Sequence, residues 1–351
     1  MQDPGNRYIR RMASRGGIFF ACAMLCHLST CMALDASSQA TENMSYHLQQ
    51  LKKEIKPLNL SRLSETAPHI SAYLKYYNLI FKDVNHFMGT FNSGAYVVTA
   101  QVFIPPNPKA TVFILHGYLD HAGIQRNIIE FCLDQGFAAA VYDLPGHGLS
   151  GGKSCSISDF SDYVSVFDDF IKTCRSHLPR PYYVIGHSMG CAIVFDYLHS
   201  HSDRPFEKII YGAPLVRSAY WTVSKAHHFF AKTFVESVPR LFIHNSSDPD
   251  FIDFLEKDPL QCQRIPLKWV EALHRWNDRI QPYPKISQSV LILQGRADAV
   301  VDYEYNIPFL RKKNDQVIVR WFENAGHQLF NEKLTIRLEV LAAARKYLKA
   351  P

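Results

Sequence analysis

The sequence predicts an α/β protein: a mostly parallel central sheet with helices on both faces, and a helical cap inserted late in the chain. Three observations carry this expectation. From about residue 84 onward, short runs rich in Val, Ile and Phe alternate with amphipathic stretches at helical spacing. The later runs are apolar nearly end to end, as strands covered on both faces must be. Between "KIIYGAP" and "SVLILQG" the rhythm breaks for about seventy residues, far beyond the roughly 2–6 of an ordinary βα loop.

The elements follow in order. In residues 1–40, Arg7, Arg10, Arg11 and Arg15 precede the apolar run "GGIFFACAMLCHLSTCMAL" and the small residues of "DASSQA". Basic, apolar, then small is the order of a secretory signal, with a cut expected after Ala40 or after Ala33. An uncleaved anchor is the alternative, weakened by His27 and several small residues. "LSTC", Leu28 to Cys31, resembles a lipoprotein cleavage box, with Thr30 departing from its usual small residue. The leader therefore predicts an extracytoplasmic protein, periplasmic or secreted, with membrane attachment through the leader as one form of it. Residues 41–83 read as broken helix interrupted at Pro57 and Pro68, packed on the outside of the domain. "HFMGTF", "AYVVTAQVFIP" and "ATVFILHG" read as strands separated by Gly, Asn and Pro. Then come strand "FAAAVYDL", a helix with Phe160, Val164, Phe167 and Ile171 on one face, and strand "YYVIG". Ser156 with Asp159 is expected to form that helix's capping box. A second helix follows Ser188, then strands "KIIYGAP", "SVLILQG" and "QVIVRWFEN", and a closing helix with Leu334, Leu338, Leu341 and Leu348 on its core face. The core is thus expected in residues 84–214 and 287–351, and the cap in 215–286. The insert carries Trp221, Phe229, Phe230, Phe234, Phe242, Phe251, Phe254 and Trp269. It is a small second core, and its position above the C-terminal strand ends makes it a lid.

Composition narrows the function. A chain of 351 residues with 47% hydrophobic and 20% charged residues is ordinary for a globular protein. A formal charge of +6, partly in the leader, with no dense Lys/Arg stripe argues against nucleic acid. Five of the eight cysteines lie beyond the leader, Cys132, Cys155, Cys174, Cys191 and Cys262. Odd in number and without a CxxC pair, they read as neither a disulfide framework nor a zinc site, and most of them as small buried apolar groups.

The chemistry centres on "YYVIGHSMGCAIVFDYL". In GxSxG a strand turns sharply into a helix so that the serine oxygen points out of the fold, and Gly186 and Gly190 let the backbone close on itself. Here strand and helix stand on the required sides of Ser188. A nucleophilic serine needs a base, an orienting carboxylate and oxyanion donors, in chain order Ser, acid, His on such a sheet. The one histidine beyond the last strand is His327, in "AGHQLFNE". "RADAVVD" offers Asp298 and Asp302; Asp298 sits at the strand end, whereas Asp302 is expected to start the next helix. The backbone N–H groups of Tyr118 and Met189 are the expected oxyanion donors. His116, Gly117 and His121 are the candidate substrate contacts, although His116 can equally be a buried histidine that shapes the loop, and Asp120 and His121 can equally cap the following helix. In "YDLPGHGLSGG" the polar residues read as loop ties, with Gly146 and Gly148 supplying permissive backbone angles.

Taken in order, "HGYLDH", "YDLPGHGLSGG", "GHSMG", "QGRADAVVD" and "GHQLFNE" resemble the α/β-hydrolase superfamily, in its monoglyceride lipase and lysophospholipase branch with a helical cap. The resemblance covers roughly residues 87–348 and departs from the branch at Cys191, where a second glycine is usual, and in the added leader. It implies the α/β-hydrolase fold, with Ser188, Asp298 and His327 as triad and Tyr118 and Met189 as oxyanion donors. It also implies a serine ester hydrolase that acts on a monoacylglycerol or lysophospholipid through an acyl-enzyme, without metal or organic cofactor. Small-molecule lipid esters are the expected partners, with peripheral membrane contact and no nucleic acid. Two rivals stand beside it. One is a prolyl-aminopeptidase-like serine peptidase, for which Asp248, Asp250, Asp253 and Glu256 would hold a substrate amino group; the other is a catalytically silent binding protein on the same fold.

Overall fold

The computed structural model describes residues 41–62, 67–241 and 244–350; the leader expectations lie outside them. A helix over residues 41–54 (α1) and helix α2 (Pro68–Tyr76) precede the hairpin β1 (Asn85–Ser93) and β2 (Tyr96–Ile104). Next come β3 (Thr111–Leu115), α3 (Arg126–Asp134), β4 (Ala138–Tyr142), α4 (Phe160–Cys174), β5 (Tyr182–His187), α5 (Met189–Ser200) and β6 (Phe206–Gly212). The insert holds α6 (Trp221–Ala231), β7 (Ser237–Pro239), α7 (Pro249–Lys257), β8 (Arg264–Pro266) and α8 (Leu267–Ile280). The chain ends with β9 (Ile286–Gly295), α9 (Tyr303–Lys313), β10 (Asn314–Phe322) and α10 (Leu334–Lys349).

The eight-stranded sheet runs β1-β2-β4-β3-β5-β6-β9-β10. Its first two pairings, β1 with β2 and β2 with β4, are antiparallel; the others are parallel. Alternate residues of each central strand feed opposite cores, because successive strand side chains point to opposite faces. Phe113, Val184 and Ile209 pack toward α4, α5 and α9, whereas Val112, Ile114, Ile185 and Ile210 pack toward α1, α2, α3 and α10. Both faces are covered, which is why these strands read as unbroken apolar runs.

Several local expectations change. The N-terminal segment is a layer of the core, not an outer wrapping: Met44, Leu48, Leu51, Tyr73, Leu74 and Tyr77 are buried in it. Helix α4 is capped by Asp159 itself, whose carboxylate accepts from the Ser161 N–H at 2.8 Å, so the capping-box reading with Ser156 gives way to a simple N-cap. In α10 the buried face is Val340, Ala344 and Leu348, while Leu334 and Leu338 are 58% and 56% exposed. The insert is not purely helical, since β7 and β8 pair antiparallel. Cys155 and Cys262 form a disulfide, which the spread of the cysteines did not suggest; Cys132, Cys174 and Cys191 are free and buried, in line with the reading of most of them as small apolar groups. Among the described residues no helix is long and apolar enough to cross a membrane.

Candidate active site

Parallel pairing places the C-terminal ends of the strands side by side. Leu115 of β3 is in register with Gly186 of β5, His187 with Gly212 of β6, Gly212 with Leu293 of β9, and Gly295 of β9 with Phe322 of β10. The loops leaving these ends carry the predicted site residues, except Met189, which opens α5.

Ser188 sits at the turn from β5 into α5 with φ 50° and ψ −111°, a strained conformation for a residue with a side chain. Its N–H donates to Gly212 O at 2.9 Å, and its carbonyl accepts from Cys191 N and Leu215 N. The flanking glycines answer to space. A Cβ on Gly190 would stand 2.3 Å from Leu115 O, and one on Gly186 would stand 2.7 Å from Cys191 N. Cys191, where the family pattern has glycine, fits under the turn, its Sγ directed at Gly186 O at 3.1 Å.

Asp298 and His327 form a buried pair, Oδ2 to Nδ1 at 2.9 Å. The other contacts of Asp298 are all donors: Gln294 Nε2 at 3.0 Å on Oδ2, and the N–H groups of Val300 and Val301 at 2.8 and 3.2 Å on Oδ1. Burial works against its ionisation, but the imidazole beside it and these hydrogen bonds outweigh burial and hold the carboxyl below its usual range. Burial also disfavours a charged His327, yet the Asp298 carboxylate overcomes that and raises the imidazole pKa. With an ionised acceptor on Nδ1, the neutral ring carries its proton there and keeps the Nε2 lone pair for a base. Asp302 instead caps α9, accepting from Tyr305 N at 3.1 Å.

The β3 loop brings Gly117, Tyr118, Asp120 and His121 to the same rim. A Cβ on Gly117 would stand 3.2 Å from Ser188 Cβ, so the loop passes directly against the serine. Met189 is the first residue of α5, and its N–H belongs to the first turn, which has no intrahelical acceptor. His116 is fully buried: Nε2 accepts from Leu144 N at 2.9 Å and Nδ1 donates to Gly117 O at 2.8 Å. Burial pushes its pKa down to about 3, and it shapes the loop from within. His121, also fully buried, accepts from Gly123 N on Nδ1 at 3.1 Å and donates from Nε2 to Asp258 at 2.7 Å. The candidate substrate contacts His116 and His121 are thus both occupied as loop ties. The polar residues of "YDLPGHGLSGG" do the same: Asp143 accepts from Ala122 N and Leu149 N, and Ser150 Oγ donates to Asp143 O.

Asp120 is a junction that sequence reasoning left undecided between a pocket wall and a helix cap. Its Oδ2 lies 3.3 Å from His187 Nδ1, and Gln328 Nε2 donates to its Oδ1 at 3.2 Å. His187 Nε2 in turn donates to His327 O at 2.9 Å. One buried carboxylate therefore ties together the loops of Tyr118, Ser188 and His327. Burial raises the Asp120 pKa, but the His187 hydrogen bond and charge win and hold it below the carboxylate range.

The cap joins this site at several points. Asn245 O accepts from Gln328 N at 2.9 Å, Ser246 Oγ donates to Asn331 O at 2.7 Å, and Glu332 accepts from Ser247 N at 2.6 Å. Asp258 accepts from both His121 and Tyr77 OH at 2.7 Å, so the N-terminal layer, the cap and the β3 loop meet at one carboxylate. Asp196 of α5 takes Trp276 Nε1, Arg279 Nη2 and Tyr283 OH at 3.1, 2.5 and 2.8 Å, binding α8 to the helix behind the serine. None of these partners stands at a fixed spacing from the motifs, so only the fold brings them to the site.

The family model described as serine aminopeptidase, S33, matches residues 106–334. A monoglyceride lipase homolog of Monkeypox virus is 28% identical over 67% of this chain and 87% of its own length. Human monoglyceride lipase is 26% identical over 72% of this chain and 86% of its own. A crystal structure of a soluble variant of Saccharomyces cerevisiae monoglyceride lipase with a substrate analog superposes with a TM-score of 0.64 at 18% identity, over 74% of this chain and 94% of that one; this likeness speaks to fold.

Proposed function

Because the chain belongs to the serine aminopeptidase S33 family of α/β-hydrolases, in its monoglyceride lipase branch, and is a carboxylic ester hydrolase, we propose that Ser188 is its nucleophile and a monoacylglycerol or lysophospholipid its substrate. The observation that carries the reading is the positive-φ turn at Ser188 and the buried Asp298–His327 pair at the C-terminal ends of neighbouring parallel strands, their loops joined by the hydrogen bond from His187 Nε2 to His327 O. Ser188 Oγ attacks the ester carbonyl while His327 Nε2 takes its proton, and Asp298 stabilises the imidazolium that forms. The N–H groups of Tyr118 and Met189 hold the oxyanion. Collapse expels the glycerol or headgroup alcohol, which takes the proton from His327. Water, deprotonated by the same imidazole, then releases the fatty acid and restores Ser188.

The test is an active-site-directed fluorophosphonate followed by a substrate panel of short and long monoacylglycerols and lysophospholipids. Labelling at Ser188, lost in S188A, with turnover of at least one of these lipids is the expected outcome; a folded protein that is never labelled refutes the reading. The peptidase alternative has the family description in its favour, but two of the acidic residues it would use are engaged within α7. Asp248 caps that helix, and Asp253 pairs with Lys257 at 2.8 Å. Comparison of p-nitrophenyl esters with proline arylamides separates the two.

We also propose that the protein works outside the cytoplasm and touches a lipid surface peripherally. The order of residues in the leader supports the first, as does the Cys155–Cys262 disulfide, since such bonds persist in oxidising compartments. The exposed apolar side chains of the cap support the second, among them Tyr220 and Phe234, 81% and 84% exposed.

A further inference from the structure

Tyr118 is held at both ends of its side chain. Its ring stacks on Trp269 of the cap with centroids 3.5 Å apart and planes 9° from parallel. Its hydroxyl donates to Cys155 O at 2.8 Å. Cys155 is buried, holds φ 47°, and is cross-linked to Cys262, seven positions before Trp269 in the same limb of the cap. That limb is itself fixed: Asp258 is bound to His121, three residues after Tyr118, and α8 is bound to α5 through Asp196. A side chain clamped at ring and hydroxyl leaves its own backbone little freedom, so the aim of the Tyr118 N–H depends on residues far from the serine.

We propose that the limb of the cap from Asp258 through Trp269 positions the oxyanion donor, with Trp269 and the Cys155–Cys262 cross-link acting through Tyr118. This rests on the assignment of the Tyr118 N–H to the oxyanion under the proposed function. Trp269 is then a positioning residue and the disulfide its tether. The competing role for Trp269 is a wall of the acyl pocket, and kinetics separate the two. Interactions realised only in the transition state move kcat, whereas uniform substrate contacts move KM. Removing an oxyanion donor costs about 10²–10³ in kcat, so misdirecting one is expected to cost at least about tenfold.

The experiment uses p-nitrophenyl butyrate, a soluble ester that needs no lipid surface, with W269A, W269F and C155S/C262S measured against wild type. Labelling of wild type by the fluorophosphonate is established first; its failure would remove the proposed function, whereas the outcomes below bear on the cap alone. W269A is expected to lower kcat tenfold or more with KM within threefold. W269F, which keeps a ring against Tyr118, is expected to retain kcat within threefold of wild type. C155S/C262S is expected to lower kcat at least threefold, again with KM kept. Should W269A fail to fold, W269L replaces it with the same expectation. An unchanged kcat in the alanine or leucine variant or in C155S/C262S, a rise in KM with kcat kept, or a W269F as slow as W269A overturns the proposal.

Discussion

Asp298→Asn separates the two things the carboxylate does for His327. The amide can still occupy the space, but it no longer favours the tautomer that leaves Nε2 free, and it no longer stabilises a positive ring. A loss in kcat on the order of 10⁴ is expected. The pH profile carries a second sign. His327 must be neutral to act as base, and the 2.9 Å contact with Asp298 raises its pKa against the effect of burial. More of the ring is protonated at a given pH, so the acid limb of kcat/KM is expected to lie above the ordinary imidazole value of about 6.5. In D298N the limb moves to lower pH, as a kcat/KM profile from pH 5 to 9 would check. Asp120 makes a different prediction, because it touches no reacting atom but joins His187 and Gln328. D120N should lower kcat about tenfold through looser loops, and should cost on the order of 2 kcal/mol of stability in urea denaturation, since hydrogen bonds to a buried charge are worth about 1.5–3 kcal/mol. The placement of Ser188, Asp298 and His327 at neighbouring strand ends was legible, because each follows a strand whose apolar run is plain in the sequence; the roles proposed for them rest on the chain order of Ser, acid and His. Asp120 was only half legible, since a carboxylate five residues past a strand end has no spacing that distinguishes a junction from a cap.

Among the elements, the central strands, covered on both faces, were readable from their apolar runs, and α4 from its stripe of Phe160, Val164, Phe167 and Ile171; the face of the closing helix was not. In helix α10, Leu334 and Leu338 look like a core face at helical spacing, yet the buried positions are Val340, Ala344 and Leu348. The reason is that the helix packs closely through a small residue, Ala344, leaving larger leucines at its edge. The disulfide was illegible for another reason, because 107 residues separate Cys155 from Cys262 and no local spacing announces it. The N-terminal layer makes a testable contribution at this scale. Tyr77, just past α2, reaches Asp258 across the β3 loop, and its hydroxyl is buried against that carboxylate. Tyr77→Phe removes one donor and leaves the ring packed on His121 and Phe254. It should destabilise the protein by about 1.5–3 kcal/mol, read as a lower denaturation midpoint with an unchanged m-value.

At the scale of the whole molecule the cap divides into a limb welded to the catalytic loops and a tip that faces water. From Asp258 to Ile280 the large apolar side chains Leu267, Trp269, Leu273 and Trp276 are buried, and the limb carries the disulfide and the Asp258 and Asp196 anchors. Between residues 220 and 241 the balance reverses, with Val223 51%, Phe230 69%, Phe234 84% and Leu241 80% exposed. Large apolar side chains gathered on one short stretch cost solvation unless something apolar covers them, and a substrate of lipid origin offers its own surface for the purpose. Each such side chain withdrawn from water contributes about 1.5–3 kcal/mol. V223S/F234S should therefore weaken binding to phosphatidylcholine vesicles tenfold or more in co-sedimentation, a factor that corresponds to about 1.4 kcal/mol. Neither residue belongs to the proposed triad, the proposed oxyanion loop or the welded limb, so hydrolysis of p-nitrophenyl butyrate by the same variant should stay within twofold of wild type. Turnover of long-chain monoacylglycerol presented in vesicles should fall with the binding. If vesicle binding is unchanged while the soluble ester is hydrolysed normally, the tip does not meet the lipid, and the route from membrane to Ser188 must begin elsewhere on the cap.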